Sequence, residues 1–219
     1  MTDKLEVDFV FSTIPITNLI KCINPQAPEN ILNVLEDIKY RSMILYYFIL
    51  EVDQFSPFDA HYFPGSEEIF SRMSEPKNYY NSSEPKGMTG LCLEIPCSTE
   101  DKIWQASDHE IGDTVIQQLE NANLPINAKI KDRFSRRLEN VYPIYNIGYE
   151  RYLREALKYL LGVDKIISLG RQGLSAHNNT HHSLEMAYRA CECLDPDFSW
   201  SSELWQFYCE QFDNHVVED

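Results

Sequence analysis

The placement of the glycines constrains this chain more than any other feature. There are 8 among 219 residues, and no two of them form a G-x-G. A turn that lets a pyrophosphate approach the backbone needs glycines at close, fixed spacing. Neither a G-x-G-x-x-G fingerprint nor a Walker phosphate loop can therefore be drawn anywhere in the sequence. The scarcity isolates Gly170 and Gly173, which flank Arg171-Gln172 directly after the apolar run Lys165 to Leu169.

At 219 residues the chain is long enough for one large domain or two small ones with a sizeable core. Its 34 acidic and 19 basic residues give a net charge of −15, without the electrostatic footprint of a nucleic-acid or anionic-membrane binder. A hydrophobic content of 43% excludes a disordered chain. No apolar run approaches the roughly 20 residues that span a bilayer. The longest, Met43 to Leu50, carries two tyrosines and reads as a buried strand. Met1 to Glu6 has neither the basic start nor the apolar core of an export signal, so a cytoplasmic location is expected. Cysteines 22, 92, 97, 191, 193 and 209 are then expected to be reduced. Two glycosylation acceptor patterns, Asn81-Ser82-Ser83 and Asn178-Asn179-Thr180, carry little weight without such a signal.

The local patterns predict an α+β chain with a β-rich block between strand–helix pieces. Asp8 to Thr13 reads as a strand feeding a helix over Thr17 to Cys22, and Ile31, Val34, Leu35 and Ile38 recur at helical spacing. Tyr40 to Val52, His61 to Pro64, Glu68 to Met73 and Met88 to Ile95 read as strands of an antiparallel sheet. A capped helix follows, with Ser107-Asp108 before Ile111, Val115, Ile116 and Leu119. Residues 128 to 145 alternate weakly. Their Lys129, Lys131, Arg133, Arg136 and Arg137 read as a solvated strand face, with anion binding the alternative. Tyr149 to Leu161 is an amphipathic helix stopped by Gly162, and Lys165 to Leu169 is a short buried strand. Leu184, Ala187, Tyr188 and Cys191 mark one face of a further helix, and the aromatic tail suggests a short docking helix.

The segment from Lys165 to Ala190 thus reads as strand, glycine turn, polar loop and helix. Gly170 would let a ligand approach the backbone, and Arg171 offers a planar fork of donors. Thr180 or Ser183 can cap a helix whose free N–H groups favour an anion or the carbonyl edge of a flavin. The same residues also fit a plain turn and a plain cap.

Gly170-Arg171-Gln172-Gly173 followed by Asn178-Asn179-Thr180-His181-His182-Ser183-Leu184 resembles the C-terminal flavin motif of the FAD-dependent amine oxidase superfamily. The nearest look is to its protoporphyrinogen-oxidase-like members and to UDP-galactopyranose mutases. Three more stretches fall in the same order. Asp8 to Pro15 looks like the strand ending in T-x-P, Phe70 to Asn78 like an R-I-x-E-x-K strand, and Tyr142 to Tyr149 like a YPxY turn. The resemblance covers residues 6 to 190 or so and implies FAD as cofactor. By it, Gly170 and Arg171 would lie against the ribityl–pyrophosphate part, and the backbone at Asn179 and Thr180 would face the flavin pyrimidine. Arg72, Tyr145 and Tyr142 would line the substrate cavity. Where this chain has Thr180-His181 the family usually shows Met-Asp or a similar pair.

The resemblance also implies boundaries. Residues 1–25 would be a returning strand and helix of the FAD-type domain, and 26–145 a β-rich substrate-type domain. Residues 146–194 would be the closing helix–strand–helix, and 195–219 an acidic aromatic tail. The glycine-rich half of the dinucleotide site has no counterpart, so tight FAD binding by this chain alone is not expected. A complementing chain or N-terminal domain would supply it before a small-molecule substrate is turned over. The alternatives are a mutase-like nucleotide-sugar isomerase, with Arg72 as phosphate clamp, and a flavin-free binding domain.

No other constellation competes. His177 and His181 have the i, i+4 spacing of a metal pair, but no third ligand falls at a recognised spacing, so no metal is expected. Cys191 reads as a core thiol on a helical stripe.

Overall fold

The computed structural model describes residues 4–80, 83–215 and 217. Met1 to Asp3 and the Asn81-Ser82 start of one acceptor pattern lie outside them. The chain divides into two compact units, Tyr40–Tyr142, and Met1–Lys39 together with Pro143–Asp219. Among the described residues the architecture is α+β, with one mainly antiparallel sheet and one small parallel pair.

Tyr40–Tyr142 is built on a sheet in the order β3-β4-β5-β2-β6. Its strands are β2 (Tyr40–Leu50), β3 (Ala60–Tyr62), β4 (Arg72–Ser74), β5 (Thr89–Cys97) and β6 (Ile130–Pro143). The central strands alternate because one face is sealed and the other is half-buried. Ile44, Tyr46 and Phe48 of β2 and Leu91, Leu93 and Ile95 of β5 pack with Ile111, Val115 and Leu119 of α5 (Asp108–Asn121). Ser107 starts that helix with a reciprocal capping box to Glu110. Gly112 is required where α5 crosses the sheet. A Cβ there would lie 3.0 Å from Tyr46 Cζ and 2.9 Å from Arg133 Nη1.

Of the expected solvated basic residues, Lys129, Lys131, Arg136 and Arg137 are exposed and Arg133 is half-buried. Arg133 pairs with Asp113 at 2.8 Å, and Arg137 donates to the carbonyls of Trp104 and Ala106, so both hold the helical layer to the edge strand. The strand expected at Glu68 to Met73 is shorter and displaced, to Arg72–Ser74. Ile69 N–H donates instead to Gln118 Oε1 of α5, and Phe70 is buried edge-on against Phe63.

In the other unit, β1 (Val10–Ser12) pairs in parallel with β7 (Ile166–Ser168) and leads into α1 (Ile16–Cys22). The helices α2 (Glu29–Leu35) and α6 (Tyr149–Leu161) belong here, as do α7 (Gly170–Gly173), α8 (Thr180–Glu192) and α9 (Ser202–Phe212). The expected glycine turn is therefore one turn of helix. The N-cap of α8 is Asn179, not Thr180 or Ser183.

The expected stripe on α8 is also overturned. Leu184, Tyr188 and Cys191 are exposed, whereas His182, Met186 and Ala190 are buried with Cys193 just beyond. That face packs with Ile167 of β7, with Leu169 just after it, and with Trp205 and Phe212 of α9. The aromatic tail docks as α9, whose cap is Ser201 Oγ accepting from Leu204 N–H.

Candidate functional site

Two places carry polar side chains in an arrangement with chemical content, one in each unit. In the sheet unit, the face of β3, β4, β5 and β2 opposite α5 presents cross-strand rows. Tyr62, Arg72, Glu94 and Leu45 share one row, and Ala60, Ser74, Cys92 and Tyr47 the next. Arg72 donates to Glu94 Oε1 through Nε at 3.1 Å and also through Nη2. The carboxylate holds the guanidinium well above its ordinary range. Tyr47 stacks on Phe134 at 5.0 Å, and Arg136 lies 5.2 Å from that ring. Burial raises the Cys92 thiol and the Tyr47 phenol. Arg72 is thus charge-compensated in a cross-strand pair, with its Nε and Nη2 donors taken up by Glu94.

Glu75 and Lys77 follow Arg72 closely and have a different task. Glu75 is buried and accepts from the N–H groups of Phe55 and Ser56 at 2.8 and 3.0 Å, from Thr89 Oγ1 at 2.7 Å and from Asn78 Nδ2 at 3.1 Å. Lys77 Nζ donates to the carbonyls of Pro85 and Met88. Together they clasp two connections onto the sheet edge. Their charged pattern within Phe70 to Asn78 was visible in the sequence, but their burial was not.

In the other unit the second place is the β7–α7–α8 passage. Gly170 has φ +78° and is buried, and a Cβ there would meet nothing nearer than Thr13 Cγ2 at 3.9 Å. Gly173, by contrast, sits tight against β7 and β1, where a Cβ would lie 2.8 Å from Ser168 Oγ and 3.1 Å from the Ser12 carbonyl. Arg171 turns back into its own loop and donates to the Asn178 carbonyl and, at 3.2 Å, to Asn178 Oδ1. The Asn179 N–H is likewise occupied, donating to His182 Nδ1 at 3.1 Å. The first N–H groups of α8, on Thr180 and His181, have no preceding helical carbonyl to bond.

A glycine without a side chain and a helix N-terminus suit an acceptor-rich group such as the carbonyl edge of a flavin ring. The engaged Arg171 does not suit a pyrophosphate. Among the residues considered, those present therefore fit the ring end of FAD and not its dinucleotide end.

Tyr145 belongs to the same unit and lines a cavity of 1130 Å³ between α6, β7 and α9, with Phe9, Leu157, Ile167, Trp200 and Trp205 among its walls. Its ring stands 4.9 Å from Tyr149 and 6.1 Å from His177. Tyr142 falls at the end of the sheet unit and is part-exposed. His177 lies in the loop before α8, so it does not share a helical face with His181. Among the described residues no three His, Cys, Asp or Glu side chains could hold a metal ion. All six cysteines are free, and Cys191 is exposed rather than core. Burial pushes Cys193 up to about 11 and Cys209 up to about 12, which makes both poor nucleophiles. No helix among the described residues is long and apolar enough to cross a membrane.

No protein-family model matches the chain, and no curated protein matches it either. Solved structures do. A reduced UDP-galactopyranose mutase superposes with a TM-score of 0.62 at 23% identity, over 77% of this chain and 36% of that one. A putative protoporphyrinogen oxidase from Exiguobacterium sp. 255-15 superposes with a TM-score of 0.56 at 20% identity, over 75% of this chain and 36% of that one. The likeness is one of fold. This chain has the fold of a part of those proteins, and spans about a third of the length of each.

Proposed function

We propose that this chain is a portion of a FAD-dependent oxidoreductase of the amine oxidase type. It would contribute the wall of the substrate cavity and the ring end of the flavin site. When bound, the flavin supplies the redox chemistry. The chain's own part is electrostatic and steric. Gly170 leaves room for the cofactor beside the backbone, and the N–H groups opening α8 at Thr180 stabilise negative charge on the pyrimidine side. Tyr145 would line the space taken by a small-molecule substrate. A complementing dinucleotide-binding segment, in the same polypeptide or in a partner, would hold the pyrophosphate and adenosine.

The observation that carries this reading is the buried, positive-φ Gly170 between β7 and the start of α8, within a fold shared in part with a mutase and a putative oxidase. The mutase alternative needs Arg72 to receive a phosphate, and its pairing with Glu94 speaks against that.

Flavin titration of the purified chain, followed by the visible spectrum, tests the proposal. Weak binding is expected, equal for riboflavin and FAD because only the ring end is held, and abolished by Gly170→Leu. An unperturbed flavin spectrum up to about 1 mM ligand would overturn it. Binding of FAD far tighter than riboflavin would overturn the division between ring end and dinucleotide end.

A further inference from the structure

A capping box ordinarily uses Glu or Gln at the third helical position to accept from the N-cap backbone. In α8 that position is His182. Its Nδ1 accepts from the Asn179 N–H at 3.1 Å, and the reciprocal bond from the His182 N–H to the Asn179 side chain completes the box. An Nδ1 that accepts carries no proton, so the box exists only with the neutral ring. The His182 ring is buried. It lies 4.0 Å from the His181 ring and stacks on His215, beyond α9, at 4.4 Å and 17°.

The charged groups around it are few and already engaged. Glu185, one turn on, faces it but is shared by His215 Nε2 at 3.3 Å and Arg189 at 3.6 Å. His215 in turn packs on Phe212 of α9, at 5.3 Å between ring centres. Three effects therefore oppose a proton on His182. A protonated Nδ1 would point a donor at the Asn179 donor. The positive charge would sit at the positive end of the α8 dipole. It would also repel His181 and His215 whenever those are charged.

We propose that His182 is a proton-operated cap, which fixes the start of α8 and the docked end of α9 when neutral and releases both when protonated. Burial, then His181 and His215, hold its pKa below the ordinary histidine value, with Glu185 opposing. Because the folded value is depressed, the unfolded or opened state binds the proton first. The stability contributed by the neutral cap is full above about pH 6.5 and is lost as pH falls toward the lower folded value. The cap works on the chain alone, without a flavin. As regulation of a cofactor site it rests on the function proposed above, since Thr180, the residue after the cap, is given the flavin-facing role there.

Amide hydrogen exchange of the full flavin-free chain, corrected for intrinsic rates, tests the cap between about pH 7.5 and about pH 5. Opening at residues 179–183 is expected to rise by up to about tenfold per pH unit through the window, while β2 and β5 amides keep their protection. His182→Gln retains a box without a titrating group and is expected to flatten this response. A wild-type chain without the response, or an unaltered response in His182→Gln, would overturn the proposal. In the wild-type chain, the NMR titrations of the His182 ring and of the Asn179 amide must share one midpoint, and distinct midpoints would also overturn it. Failure to bind flavin would leave these results standing and count only against the proposed function.

Discussion

β2 and β5 pair over nine residues each, whereas β1 and β7 pair over three. In the sheet unit the long ladder is backed by α5, and Tyr46, Phe48, Leu91 and Leu93 are sealed beneath it. In the strand–helix unit the ladder engages Val10 and Ser12 and turns the amide and carbonyl of Phe11 to the opposite edge, where no described strand lies. Val10, Phe11 and Ile14 are 40, 45 and 46% exposed along it. An antiparallel sheet can leave one face open, whereas parallel sheets are ordinarily larger and buried on both faces. The difference teaches that a long ladder backed by a helix seals its own core, while a short parallel ladder leaves one edge half-exposed.

Substitutions that open the sheet unit should have the largest effects. Glu75→Ala leaves two backbone N–H groups, Thr89 and Asn78 without their buried acceptor, and should cost about 3 kcal/mol in urea unfolding. Glu75→Gln should recover part of that, since one oxygen remains. Gly112→Ala forces a methyl against Tyr46 and Arg133 and should cost about 2 kcal/mol. In a Tyr46→Phe background the same change should cost less, because the hydroxyl it meets is gone, and a double-mutant cycle reads that coupling. The smallest effect belongs to the other unit. Phe11→Ser on the half-exposed edge gives up ring contacts to Phe9 and Trp200 and should cost about 1 kcal/mol. A loss as large as that of Glu75→Ala would erase the contrast between the two units.

What the sequence made legible follows the same division. The strands β2 and β5, the Ser107 cap and the amphipathic helix α6 follow local patterns, although Leu161 at the end of the α6 stripe is exposed. Arg72 looked like a cavity cation because Glu94, its partner, lies across a strand pair, and only the register brings the two together. The face of α8 was misassigned because His182, polar by composition, is buried by its capping role, while Leu184 and Tyr188 are exposed. Gly170 was identified as a special backbone position and has a positive φ. Arg171 offers a ligand-type fork by sequence, and its donors reach Asn178 seven residues on, a loop closure that spacing does not reveal.

The contrast between a long sealed ladder and a short half-exposed one is tested most directly by native-state amide exchange on the full chain. Amides of β2 and β5 are expected to exchange only through the slowest opening of the molecule. Those of the β1–β7 ladder, at Val10, Ser12, Ile167 and Leu169, should exchange at least about a hundredfold faster. Equal protection in the two ladders would contradict the account.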